Sequence, residues 1–149
     1  MWIAAAAAVI DQIAKAAVRR GTSLEVDGLF AVRHTQNTGA AFSMLKGTGL
    51  LLTVGTALVI AALAGWLIAR PDALPKWARW GMWLIVGGGL GNLYDRIVYG
   101  AVTDFIELRF VRFAVFNLAD IAIVCGAILV AAAIFIDEKR KEAAHERKD

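Results

Sequence analysis

At 149 residues, with 59% hydrophobic and only 19% charged side chains, the chain holds more apolar material than one core can hide, since a soluble domain is about 45–50% apolar and about 25% charged. A mean hydropathy of +0.62 points to lipid as the solvent. High hydrophobicity with a net charge of +3 excludes disorder, the lone Cys125 excludes a disulfide framework, and His34 and His145 leave little for a His-rich metal site.

A hydrocarbon core of about 30 Å takes roughly 20 apolar residues per helix. Trp2 to Val18 is the first candidate, interrupted by Asp11 and Lys15. It lacks a basic start and carries charge where a signal peptide would be apolar, so it reads as a retained helix. Leu24 to Thr35 alternates loosely around Val26, Phe30 and Val32, with Asp27-Gly28 favouring a turn, which predicts a short strand or hairpin outside the bilayer. Leu50 to Ala69 has no charge and ends at Arg70 and Pro71; Arg70 to Lys76 is then a tight polar connection. Trp80 to Ile97 is apolar until Asn92, Asp95 and Arg96, and Phe113 to Ile136 holds only Asn117 and Asp120 as strongly polar residues. The tail, Asp137 to Asp149, mixes both charges and predicts a solvated, helix-capable extension. The expected architecture is an all-α polytopic membrane protein with one domain over 1–149 and spans at 2–18, 50–69, 80–97 and 113–136.

Orientation is weakly encoded by charge. Eight Lys and Arg fall on the side of the Arg70–Arg79 turn and the tail, seven on the other, so the positive-inside rule decides almost nothing. Trp2, Trp66, Trp77, Trp80 and Trp83 all fall at the face bearing the short turn. That face, with both termini, is taken as cytoplasmic. The pI near 9.3 admits nucleic acid, but the basic residues are scattered and a membrane surface accounts for them equally.

An up-and-down path brings the end of segments one and three to the start of two and four, and the unusual polar residues gather there: Lys15, Asn37, Asn92, Asp95, Arg96, Asp104, Asn117 and Asp120. Intramembrane ionisable groups are costly and functional by default. Asp11 and Lys15, four apart, read first as a helix-internal ion pair. Asn92 and Arg96, one turn apart, admit either a cross-helix hydrogen bond or a substrate contact. Gly87, Gly88, Gly89 and Gly91 read as close helix packing, since no phosphate-loop Lys-Ser/Thr follows. Cys125, on an apolar helix with no charged neighbour, predicts a buried, inert thiol. Ser43 and His34 lack an acidic orienter for a Ser-His pair.

Asp104, placed in a loop within Val102-Thr103-Asp104-Phe105-Ile106, and Asp120, expected about 10 Å below the start of its helix, have no basic residue at i±3 or i±4. Two aspartates sharing one proton suit aspartic-protease chemistry, the ionised one activating water and the neutral one polarising the carbonyl. A small four-helix proton-coupled transporter would use the same pair as a relay, with Asp95 and Arg96 as a gate. Against it, the inner halves of segments two, three and four hold no ionisable residue.

Five motifs in order, Asp11-Gln12-Ile13-Ala14-Lys15, Asn37-Thr38-Gly39-Ala40-Ala41-Phe42-Ser43, Gly91-Asn92-Leu93-Tyr94-Asp95-Arg96, Val102-Thr103-Asp104-Phe105 and Phe116-Asn117-Leu118-Ala119-Asp120, resemble those of lipoprotein signal peptidase (signal peptidase II). The resemblance covers roughly Asp11 to Ile136. It implies a bacterial inner-membrane aspartyl protease with four transmembrane helices and a small extracytoplasmic β-rich cradle. The implied reaction cuts diacylglyceryl-modified prolipoproteins before the lipidated cysteine, near the outer leaflet, without metal or cofactor. It implies Asp104 and Asp120 as the catalytic dyad; Asn37, Asn92, Arg96 and Asn117 as substrate- or inhibitor-contacting; and Asp11, Lys15, Asp95 and Gly39 as supporting. Membrane lipids and globomycin-type inhibitors are the implied partners, with no nucleic acid. The chain departs from the pattern in having ten residues before Asp11 and a shorter Asp104–Asn117 loop.

Overall fold

The computed structural model describes residues 1–39 and 48–146. Among them the order is α1 (Trp2–Arg19), β1 (Leu24–Val26), β2 (Phe30–Asn37), α2 (Thr48–Ala69), α3 (Lys76–Tyr99), β3 (Val102–Leu108) and α4 (Leu118–Glu146). The expected hairpin is β1–β2, with Leu24 opposite Val32 and Val26 opposite Phe30. Gly28 takes the left-handed φ of 71° in its turn, a conformation that a Cβ disfavours.

The molecule is mostly helical with a three-stranded antiparallel sheet in the order β1-β2-β3. Asp104 therefore sits in a strand and not in a loop: β3 pairs with β2, Thr35 opposite Asp104 and Asn37 opposite Val102. The strand was hidden because Val102 to Phe105 is buried throughout, so its apolar positions do not alternate with polar ones as a half-buried strand's would.

α3 is the hub, packed on α1, α2 and α4. Its glycines make this possible. A Cβ at Gly87 would stand 2.5 Å from the Ala4 carbonyl oxygen, and Gly81 and Gly126 each present a carbonyl 2.5 Å from where the other's Cβ would be. The pairings Ala4–Gly87 and Asp11–Gly91 make α1 parallel to α3, while Gly81–Gly126 and Gly88–Ala119 make α4 antiparallel to it.

α4 begins five residues after the apolar run at Phe113. Phe116 remains extended because its backbone pairs with Ile106: the Phe116 N–H donates to Ile106 at 3.1 Å and its carbonyl accepts from Ile106 at 2.8 Å. The charged tail continues the same helix to Glu146. Among the described residues two stretches, Gly49–Ala69 and Leu118–Lys141, are long and apolar enough to cross a membrane. α1 falls short because Asp11, Lys15 and Arg19 interrupt it, and α3 because its glycines and charges dilute it. Large apolar side chains such as Leu51, Leu58, Val124, Ile128 and Phe135 lie exposed, an arrangement that lipid satisfies and water does not. Cys125 shares that exposure, contrary to the buried thiol expected: an apolar helix in lipid turns apolar residues outward.

Candidate active site

α1 carries Asp11, Lys15 and Arg19 at four-residue spacing, one face of a helix. Lys15 is fully buried, and its ammonium donates to Asp11 Oδ2 at 2.8 Å, to Asn92 Oδ1 at 2.9 Å and reaches Asp95 Oδ2 at 3.4 Å. Its three protons thus have three acceptors. Asp11 Oδ1 accepts the Ala119 N–H at 2.9 Å. That places a carboxylate on the first turn of α4, where unpaired N–H groups and the helix dipole favour it.

Asp95, at the end of α3, joins that helix to β3. Its Oδ2 accepts the Thr103 N–H at 2.8 Å, and its Oδ1 accepts from Gln12 at 3.1 Å and from Arg19 at 3.4 Å. Arg19 also donates to Thr103 Oγ1 at 2.9 Å and lies 4.4 Å over the Tyr99 ring. The residue after Thr103 is Asp104, so this clamp fixes where its carboxyl stands.

Asp104 is 2% exposed. Its Oδ1 accepts from Asn117 Nδ2 at 2.7 Å and its Oδ2 from Asn37 Nδ2 at 2.9 Å. Asp120, half-buried, accepts from Asn92 Nδ2 at 2.8 Å and from the Asn117 N–H at 3.1 Å. Asn117 Oδ1 in turn accepts the Asp120 N–H at 2.9 Å. The reciprocal pair is a capping box, so Asp120 lies in the first turn of α4 and not the 10 Å down its helix that a start at Phe113 implied. Asn117 Nδ2 also donates to Asn92 Oδ1 at 3.0 Å, so one buried amide binds Asp104 and the Asn92 that donates to Asp120. Burial, reinforced by the negative charge of Asp120, raises the Asp104 carboxyl above its ordinary range, although hydrogen bonds from Asn37 and Asn117 and the charge of Lys15 oppose this.

Both carboxylates line one cleft of about 470 Å³, with Asn37, Phe116, Val124 and Cys125 among its walls. Among the described residues no buried side-chain nitrogen or oxygen lacks a partner, and no group of three His, Cys, Asp or Glu is placed to hold a metal. A buried network this complete fixes its members in one geometry.

A family profile described as signal peptidase (SPase) II matches residues 3–136. The chain belongs to the signal peptidase II family. It is 44% identical over 142 residues to the lipoprotein signal peptidase of Syntrophomonas wolfei, covering 90% of this chain and 91% of that one. The lipoprotein signal peptidase of Tolumonas auensis is 39% identical over 140 residues, with 87% and 85% covered. That of Pseudomonas aeruginosa is 38% identical over 157 residues, with 97% and 92% covered. A bacterial membrane enzyme solved at 2.3 Å by the in meso method superposes with a TM-score of 0.80 at 30% identity, covering 94% of this chain and 89% of that one.

In this signal peptidase II, Asp11, Lys15, Asn37, Asn92, Asp95, Asp104, Asn117 and Asp120 form one connected hydrogen-bonded cluster. Gly39 supports it through its N–H, which donates to Asn37 Oδ1 at 2.9 Å. Arg96 is half-buried on α3 and makes no side-chain hydrogen bond with the cluster among the described residues. Ala40 to Ser43 lie outside the described residues, and His34 is exposed on β2. Gln12, Arg19 and Thr103 are members that the sequence reading passed over. For Arg19 the signal was present, one turn beyond Lys15 on the face that already held Asp11.

Proposed function

We propose that this signal peptidase II is an aspartic endopeptidase that removes signal peptides from diacylglyceryl-modified prolipoproteins, cutting before the lipidated cysteine. The observation that carries the aspartic reading is that Asp104 and Asp120 line one cleft and share Asn117 as a hydrogen-bonding neighbour. The transporter reading has no support in the family assignment.

The network divides the labour of the pair. Lys15 bonds to the oxygen of the Asn92 amide whose Nδ2 donates to Asp120, so the buried ammonium reaches Asp120 through one amide. In this reading the proton of the pair is assigned to Asp104, the more deeply buried of the two, whose carboxyl burial raises above its ordinary range. A water between them gives a proton to Asp120 as its oxygen attacks the scissile carbonyl, while Asp104 protonates the carbonyl oxygen. On collapse, a hydroxyl proton of the tetrahedral carbon returns to Asp104, the C–N bond breaks and Asp120 protonates the leaving amine. In this reading Asn37, Asn92, Arg96 and Asn117 contact substrate and inhibitor, globomycin-type cyclic peptides included. Asp11, Lys15, Asp95 and Gly39 are supporting residues.

The reading places four spans in the bacterial inner membrane as one domain, with both termini cytoplasmic and the sheet and cleft at the outer leaflet. Sheet pairing supports the count. β2 precedes α2 and β3 follows α3, yet the two strands are hydrogen-bonded, so the chain between them crosses an even number of times. α2 is apolar enough to cross; α3 then crosses back, and α1 lies alongside it. Substrate lipid chains remain in the bilayer, which holds the peptide laterally and lowers the entropic cost of positioning it.

The test is cleavage of lipidated precursor by Asp104→Asn and Asp120→Asn variants. Both are expected to remain folded and to lose activity by three or more orders of magnitude, on the order of the loss when an acid–base group is removed. Full activity in both would refute the pair.

A further inference from the structure

α4 runs antiparallel to α3, and past Ala133 it continues beyond Pro75, where α3 begins. In the angle between them lies a cavity of about 260 Å³ whose walls include Trp77, Leu129, Ala133, Ile136 and Arg140. The α4 positions 129, 133, 136 and 140 are spaced four, three and four, one face of a helix. Three apolar side chains lead to a guanidinium. Asp137 also lines the cavity, but its Oδ2 is held by Lys141 Nζ at 2.7 Å. The charge left to the rim is positive, and the exposed Lys76 opens α3 between Pro75 and Trp77, which both line it. Trp77, exposed and edge-on to Trp80 at 4.9 Å, has the amphipathic ring that settles at a headgroup boundary.

We propose that this cavity binds one anionic phospholipid, its phosphate on Arg140 and Lys76 and an acyl chain along Leu129, Ala133 and Ile136. A basic pocket between spanning helices recognises such headgroups, because a net negative group is needed to match the rim. A zwitterionic lipid brings its own cation to the same place and gains less. The apolar groove between α1 and α3, lined by Val9, Ile13, Leu90 and Ile97, has no charged wall and makes no such distinction. The inference rests on α3 and α4 crossing the bilayer, as proposed above.

Native mass spectrometry of the detergent-purified chain, offered phosphatidylglycerol or phosphatidylcholine of equal chain length, tests it. One phosphatidylglycerol is expected to be retained in preference. The preference should fall about fivefold for each cation removed in Arg140→Ala and Lys76→Ala. Lys139→Ala, which removes a cation stacked on Phe135 outside the cavity, should leave it unchanged. Equal retention of the two lipids, or an equal loss in Lys139→Ala, overturns the site. Carbonate washing of cell membranes separates this from the spanning reading. A chain that stays in the membrane yet shows no lipid preference overturns the site alone, and a chain that washes out overturns both.

Discussion

Asn117 is the residue on which the two aspartates depend at once. Its side chain caps α4 through Asp120 and donates to Asp104, so Asn117→Ala removes a helix cap worth ~1 kcal/mol and leaves a buried acceptor short of a donor, at about 1–3 kcal/mol. A stability loss of roughly 2–4 kcal/mol is expected in detergent melting, together with loss of cleavage. A variant that melts with the parent would show that the cap is dispensable. Asp104 yields a second prediction, from the direction of its shift. Its folded carboxyl holds a proton above the ordinary 3.8, so over that window the folded state binds more protons than the unfolded one, and stability falls as pH rises. Asp104→Asn does not titrate. Its melting temperature relative to the parent should therefore climb as pH increases from about 3.8, then level off above the folded value. A difference that is flat with pH would contradict the raised carboxyl.

At the scale of elements, the glycines of α3 are spacers for polar groups as much as for backbones. A Cβ at Gly91 would lie 2.5 Å from Asp11 Oδ2, the carboxyl whose other oxygen holds the first turn of α4. Gly91→Ala is expected to cost about 1–3 kcal/mol by overpacking and to lower activity by displacing α4 and with it Asp120. Gly55 on α2 has nothing within 4 Å of its would-be Cβ, so Gly55→Ala should instead stabilise the fold by up to ~1 kcal/mol of helix propensity and raise the melting temperature. If both substitutions shifted melting in the same direction, close approach would not be what Gly91 provides. The four-residue spacing of Asp11 and Lys15 and the run of glycines were legible in the sequence because helical period alone determines them. β3 was not, since a fully buried strand and an apolar loop look alike. The late start of α4 was not either, because Phe113 to Phe116 is as apolar as the helix that follows and only its pairing with Ile106 keeps it extended.

For the whole molecule, composition points to lipid as the solvent, and the motifs gather the polar residues; the sheet constrains the route between them. Charge counts on the two sides are nearly equal, so sequence left the crossings to hydropathy, which among the described residues credits two of the helices. The β2–β3 pairing adds a constraint that hydropathy lacks, because strands on opposite sides of a bilayer cannot share hydrogen bonds. With α2 and α4 alone crossing, β2 would lie across the membrane from β3. With all four crossing, Thr22 before β1 and Arg109 after β3 share one side, while Asp72 and the tail share the other. Replacing Cys125 by Ala and placing single cysteines at these positions makes the difference measurable with an impermeant maleimide on intact spheroplasts. Thr22→Cys and Arg109→Cys should label, and Asp72→Cys should label only after the membrane is opened. Labelling of Thr22→Cys and Asp72→Cys from opposite sides, with Arg109→Cys following Asp72→Cys, would be the two-span pattern and would be incompatible with the sheet.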